Sequence, residues 1–285
     1  MRLNPFNPDS INVRRSGGGG FPGGGGGQLG CGGIVLVLIG ALVFGIDPGQ
    51  MLGSVEGVQQ SSPTLPQAGN ESAAEICDDN QYATESCSAL ASLDQTWAPI
   101  FQQAGAQFEK PYLSFYTGGT DSGCGSATSA VGPFYCPADK SIYIDTSFYD
   151  QMNRELGAGP GDFARYYVIA HEYGHHVQNL TGVAAQITSA QRQNPGAANQ
   201  LSVLLELQAD CYAGVWAGKN RNLIEPGDFE EGMQAASAIG DDTLTKGRVS
   251  SENFTHGTSA QRMQALRLGM ESGDDTQCDR IVELR

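Results

Sequence analysis

Several stretches of this chain repeat apolar residues at the spacing of one helix face. In residues 84–108, Leu90, Leu93, Trp97, Phe101 and Phe108 share such a face, as when one side of a helix is buried. A second helix is predicted from Asp162, read as its N-cap after Pro160-Gly161, to Gly182, which can end it. A third covers 198–218, where Leu201, Leu204, Leu205 and Leu207 make most of the surface apolar. Residues 228–239 and 259–269 read as two shorter helices. Between the first two helices the period changes. Residues 112–116 and 141–144 are aromatic and β-branched or alternate with polar residues, as strands do, and 130–135 offers a third strand. The pattern predicts an α+β fold, mostly helical, with a small antiparallel sheet.

The N-terminal part reads differently. Residues 29–46, LGCGGIVLVLIGALVFGI, carry no charge. At about 1.5 Å per residue they nearly cross a bilayer core of about 30 Å. The glycine run before them belongs to no core. Arg14 and Arg15 precede the span, and Asp47 and Glu56 follow it, so the positive-inside rule places the N-terminus in the cytoplasm. No A-x-A cleavage site follows Ile46, which favours an uncleaved anchor over a signal peptide. The expected organisation is a disordered Gly-rich cytoplasmic tail (1–28), a transmembrane helix (29–46), a flexible linker (47–72) and a folded domain (73–285) outside the cytoplasm.

A net charge of −15 argues against nucleic acid as a partner. Of seven cysteines, six lie in the polar body: Cys77, Cys87, Cys124, Cys136, Cys211 and Cys278. An oxidising compartment would let them form bridges, with fifteen pairings open to six cysteines. The simplest guess pairs neighbours, Cys77–Cys87 and Cys124–Cys136, which leaves Cys211–Cys278.

The candidate chemistry sits on the second helix. Residues 171–175 read His-Glu-Tyr-Gly-His, and the chain has only four histidines. Two imidazoles four apart on a helix point the same way, so His171 and His175 can grip one metal ion. Glu172, between them, can take a proton from water at that ion. H-E-x-x-H is the zinc-hydrolase signature. Gly174 would let another backbone or a substrate come close. His176 points about 100° away from His175, so it reads as a neighbour of the site or a surface residue and not as a ligand. A catalytic zinc needs a third protein ligand. A third histidine beyond the motif is excluded, because Gln178 and Thr181 occupy its positions. The third predicted helix offers Glu206, with Asp210 one turn on. Carboxylates among leucines are costly unless a cation or donor meets them. Glu206 is expected to meet the metal, and Asp210 to accept the N–H of a ligand histidine and fix its tautomer.

With these residues in hand, the chain resembles the gluzincins, the H-E-x-x-H plus E-x-x-x-D metallopeptidases. More narrowly, it resembles the bacterial putative neutral zinc metallopeptidase (YpfJ-like) family. The resemblance rests on Val13-Arg14-Arg15 before poly-glycine, on 122–126, on 132–137, on HEYGHHVQ from His171, on ELQADCYAG from Glu206 and on the stretch from His256 to Arg262. It implies a zincin-like fold, one Zn²⁺ ion and a protein or peptide substrate. It also implies an edge strand above the metal, expected over 126–135, along which an extended peptide can add. His256 is implied as a donor to the oxyanion. Tyr212 is a competing donor, but two positions from Asp210 it faces another side of its helix. The function expected is a membrane-anchored, single-pass endopeptidase of the bacterial cell envelope, with its catalytic domain on the periplasmic side. The alternatives are a zinc-bound envelope binding module or chaperone with vestigial activity, and an amidase acting on peptidoglycan peptides.

Overall fold

The computed structural model describes residues 1–16, 71–156 and 161–283. In chain order these hold β1 (Asn12–Arg15), α1 (Ala73–Cys77), α2 (Gln81–Gln103), β2 (Tyr112–Phe115), β3 (Gly119–Ser122), β4 (Gly125–Thr128), β5 (Phe134–Cys136), β6 (Ser141–Ile144) and α3 (Ser147–Gln151). After them come α4 (Asp162–Thr181), α5 (Val183–Gln193), α6 (Ala198–Lys219), α7 (Asp228–Ala238), α8 (Asp241–Leu244), α9 (Ser259–Ser272) and α10 (Thr276–Asp279). The architecture is α+β and mostly helical, as the periodicity predicts.

The sheet differs from expectation. Its strand order is β1-β2-β6-β5. β1 and β6 both flank β2 in parallel, and only β5 runs antiparallel, against β6. The sheet is therefore mixed, with parallel pairs at β1–β2 and β2–β6 and one antiparallel pair at β5–β6. Residues 126–135 do not form one edge: 126–128 pair in a separate β3–β4 hairpin, 129–131 form a 3-10 turn, and the edge strand begins at Phe134.

Of the tail expected to be disordered over residues 1–28, residues 1–16 are ordered, and 17–28 lie outside the described residues. Arg14 is buried, and its guanidinium donates to Ser114 Oγ (2.7 Å), Ser141 Oγ (2.8 Å) and Tyr143 Oη (3.3 Å). The Met1 ammonium is buried against Asp228 (2.7 Å) and Asp162 (2.8 Å). Asp162 is thus engaged with the N-terminal segment. It is the first residue of α4, and Gly161 is the cap. Arg15 pairs with Glu71 at 3.0 Å and with Asp79 at 3.1 Å, so the chain leaves and re-enters the described body at adjacent points. The anchor expected over 29–46, and all but the last two residues of the linker, lie outside the described residues. Among the described residues no helix is long and apolar enough to cross a membrane.

The helices that carry the site are packed unusually close. A Cβ on Gly174 of α4 would lie 2.8 Å from Ala209 Cα of α6, so glycine lets those two backbones touch. Gly214 of α6 and Gly269 of α9 do the same for the next pair: a Cβ there would meet Leu266 O at 2.2 Å and Cys211 O at 2.0 Å. Three disulfides pin the frame. Cys77–Cys87 joins α1 to α2, Cys124–Cys136 joins the β3–β4 turn to the edge strand, and Cys211–Cys278 joins α6 to α10. The last spans 67 residues, and closing so long a loop stabilises on the order of 4 kcal/mol in the chain-entropy view.

Candidate metal centre

α4 and α6 cross where Gly174 meets Ala209, and that crossing brings their polar residues together. One turn before it on α4 stands His171, and the next residue beyond it is His175. The Nε2 of His171 lies 3.2 Å from Glu206 Oε2, and the Nε2 of His175 lies 3.4 Å from Glu206 Oε1. The ligand-capable atoms of the three residues all fall within 4.8 Å of one another. Two imidazole nitrogens and a carboxylate at this spacing could hold a metal ion.

The other ring nitrogens are already engaged. His171 Nδ1 donates to Asp210 Oδ1 at 2.8 Å. That oxygen also accepts from Tyr167 Oη (2.6 Å) and Arg262 (2.9 Å), while Arg262 Nε donates to Oδ2 at 2.8 Å. Asp210 is fully buried, and this fork of donors compensates its charge. Burial would raise the Asp210 carboxyl, but the Arg262 charge and then His171 hold it low. His175 Nδ1 lies 2.9 Å from Gln178 Oε1.

The electrostatics fit a cation. Burial alone would lower the His171 imidazolium, yet the Asp210 charge and hydrogen bonds to Asp210 and Glu206 lift it to about 10. His175 is raised against burial by Glu206. Glu206 itself would be raised by burial but is held well below the usual range by His175 and His171. The Glu206 carboxylate therefore favours a proton on each of the two Nε2 atoms that face it. A divalent cation held by His171, His175 and Glu206 would take the place of those protons, as metal binding at such sites releases protons.

Glu172 is buried, and burial raises its carboxyl while the charges of His171 and His175 restrain the rise. It opens, with His171, His175, Glu206 and His256, onto a cavity of about 270 Å³. Its lining is mostly apolar and includes Val131, Phe134, Val168, Leu205 and Ile239. His256 is nearly buried. Its Nδ1 faces Thr255 Oγ1 (3.0 Å) and Asp241 Oδ1 (3.2 Å), and its Nε2 has no hydrogen-bond partner among the described residues. Asp241 holds this loop by accepting the backbone N–H groups of Thr255 (2.8 Å), His256 (2.7 Å) and Gly257 (3.0 Å).

Tyr212 lies elsewhere: its hydroxyl donates to Asp279 at 3.1 Å, and it does not line the cavity. His176 is fully buried and is no surface residue. Its Nε2–H donates to Glu109 O at 2.7 Å, and its Nδ1 accepts from Tyr135 Oη at 3.0 Å. Burial lowers this ring to about 4. Asn179 donates to the same Tyr135 oxygen at 2.9 Å, so α4 holds β5 beside the cavity from two positions. Sequence reasoning missed Arg262, Gln178 and Asp241 as parts of this arrangement. Only Gln178 carried a local signal, since residues three apart on a helix are neighbours.

The model of a family described as "Putative neutral zinc metallopeptidase" matches residues 4–281. The chain is 43% identical over 284 residues to "Uncharacterized protein YpfJ" of Escherichia coli K12, covering 95% of each chain. It is 38% identical over 257 residues to "Uncharacterized protein Mb2605" of Mycobacterium bovis, covering 84% of each. No solved structure matches.

Proposed function

The chain belongs to the putative neutral zinc metallopeptidase family, and from that premise we propose that it is a zinc endopeptidase of the cell envelope. The observation that carries this reading is the convergence of His171 and His175 Nε2 on the two oxygens of Glu206, with Glu172 opening onto the same cavity. One zinc ion bound there supplies Lewis acidity toward water and the substrate carbonyl. Glu172 takes a proton from the attacking water and returns it to the leaving amine. Asp210 and Arg262 hold His171 in place. The apolar cavity walls exclude bulk water and receive substrate side chains, and β5 offers the peptide an edge to lie along.

His256 completes the set. Its Nδ1 faces Asp241, and its Nε2, which has no hydrogen-bond partner among the described residues, donates to the oxyanion that develops on the carbonyl. His256→Ala is expected to lower kcat about 10²–10³-fold with little change in KM. Steady-state kinetics on a peptide substrate checks this, and an unchanged kcat removes His256 from the mechanism.

Three disulfides support an extracytoplasmic location. A single crossing by residues 29–46 is not retained, because it would put residues 1–16 and the body they pack into on opposite sides of the membrane. A cytoplasmic tail is not retained, because residues 1–16 pack into the body and must share its side of the membrane. The deciding experiment uses the full-length chain: zinc analysis, with digestion of unfolded casein before and after chelation and after zinc is restored. Digestion that chelation abolishes and zinc restores is expected. Zinc binding without digestion would favour a binding module, and chelator-resistant digestion would exclude the metal reaction.

A further inference from the structure

His175 is the more exposed of the paired histidines, and a glutamine rather than a carboxylate faces its second ring nitrogen. We infer that Gln178 is the residue that fixes the tautomer of His175, so that Nε2 is the atom offered to the metal. The inference rests on the metal-binding part of the function proposed above.

The amide orientation follows from its partners. Gln178 is 1 % exposed. One of its terminal atoms lies 2.7 Å from the backbone carbonyl of Leu205. A carbonyl only accepts, so that atom is the NH₂ group. The same NH₂ lies 3.1 Å from Gln208 Oε1, whose own amide donates to Cys278 O at 3.5 Å. Both donor positions of Gln178 are therefore used on α6, and its oxygen is left facing His175 Nδ1 at 2.9 Å. An amide oxygen there requires the proton on Nδ1. The lone pair of a neutral His175 is then on Nε2, the atom aimed at Glu206. Leu205 immediately precedes Glu206, so one side chain orients a ring on α4 and grips the backbone beside the carboxylate on α6. Asp210 plays the corresponding part for His171 with a charge. Gln178 does so without one, which adds no further buried carboxylate beside Glu172, Glu206 and Asp210. Gln178 acts through His175 and is a positioning residue.

The test compares zinc affinity, by competition with a chromophoric chelator, in full-length Gln178→Leu and Gln178→Glu. Gln178→Leu removes the acceptor and both donors. Gln178→Glu keeps an acceptor at Nδ1 while disturbing the contacts to α6. If the tautomer is what matters, Gln178→Leu weakens zinc binding about 10–100-fold and Gln178→Glu stays within a few-fold of the parent. Equal loss in both, in step with melting temperature, would mean that Gln178 is only a tie between helices and would overturn the inference. Should Gln178→Leu fail to fold, nitrogen-15 spectra of the zinc-loaded parent decide. His175 protonated at Nδ1 and bound through Nε2 supports the assignment, and binding through Nδ1 overturns it. Neither readout depends on peptide hydrolysis, so a protein that binds zinc but cleaves nothing would refute the peptidase reading and leave this one standing.

Discussion

Glu172→Gln is expected to lower kcat about 10²–10⁴-fold, the contribution of a positioned general base, while zinc stays bound. The side chain keeps its shape but can no longer take a proton. Glu172 is not one of the three residues whose ligand atoms converge, so the metal should not notice the change. The substitution also removes a buried carboxyl that its surroundings hold above the usual range, so stability should be equal or slightly higher. Metal analysis, thermal melting and peptide hydrolysis of the same preparation separate these effects. A variant with zinc and full activity would exclude Glu172 as the base. Loss of zinc together with activity would instead make it part of the metal's support.

Arg262→Leu should be the most destabilising single change near the site. Its guanidinium is 2 % exposed and meets both oxygens of Asp210, which is itself fully buried. Without it, the Asp210 charge keeps only Tyr167 Oη and His171 Nδ1 as donors. Breaking a buried ion pair from one side costs about 3–5 kcal/mol. Because Asp210 orients His171, zinc affinity should fall as well, by about 10–100-fold. Arg262→Lys restores a charge but not the two-pronged geometry, and should recover part of the stability. Urea unfolding with chelator competition measures both quantities. A leucine variant within 1 kcal/mol of the parent, on the ~3–5 kcal/mol scale expected for such pairs, would show that Asp210 needs no cationic partner.

What the sequence disclosed follows the range over which each signal acts. His171 with His175, and Glu206 with Asp210, are spaced by one helical turn, and a turn is readable from one strand of text. The structure brings the two pairs together as that spacing suggests, and Gly174 is the close backbone approach its position implied. The cysteine pairs guessed from proximity are the ones formed. Arg262 lies 52 positions from Asp210 and Asp241 lies 15 from His256; no periodicity links such partners. The same reason hid β1. Asn12–Arg15 is too short to announce itself as a strand, and its partner Tyr112–Phe115 lies 100 positions away. The glycine run after it made the whole tail look featureless. The charged pair Arg14-Arg15 reads in the sequence as a membrane-orientation signal, whereas Arg14 is buried against Ser114 and Ser141 of the neighbouring strands and Arg15 closes against Glu71.

That first strand also decides where the protein can be cut. Trimming to residue 73, the boundary that hydropathy alone recommends, would strip β2 of a neighbour along its full length and bare its row of amides and carbonyls. Such a raw margin invites a second molecule to pair with it. The trim would also leave Ser114, Ser141 and Tyr143 without the guanidinium that joins them. A unit meant to stand alone therefore needs the opening sixteen residues as much as the helices that bear the histidines.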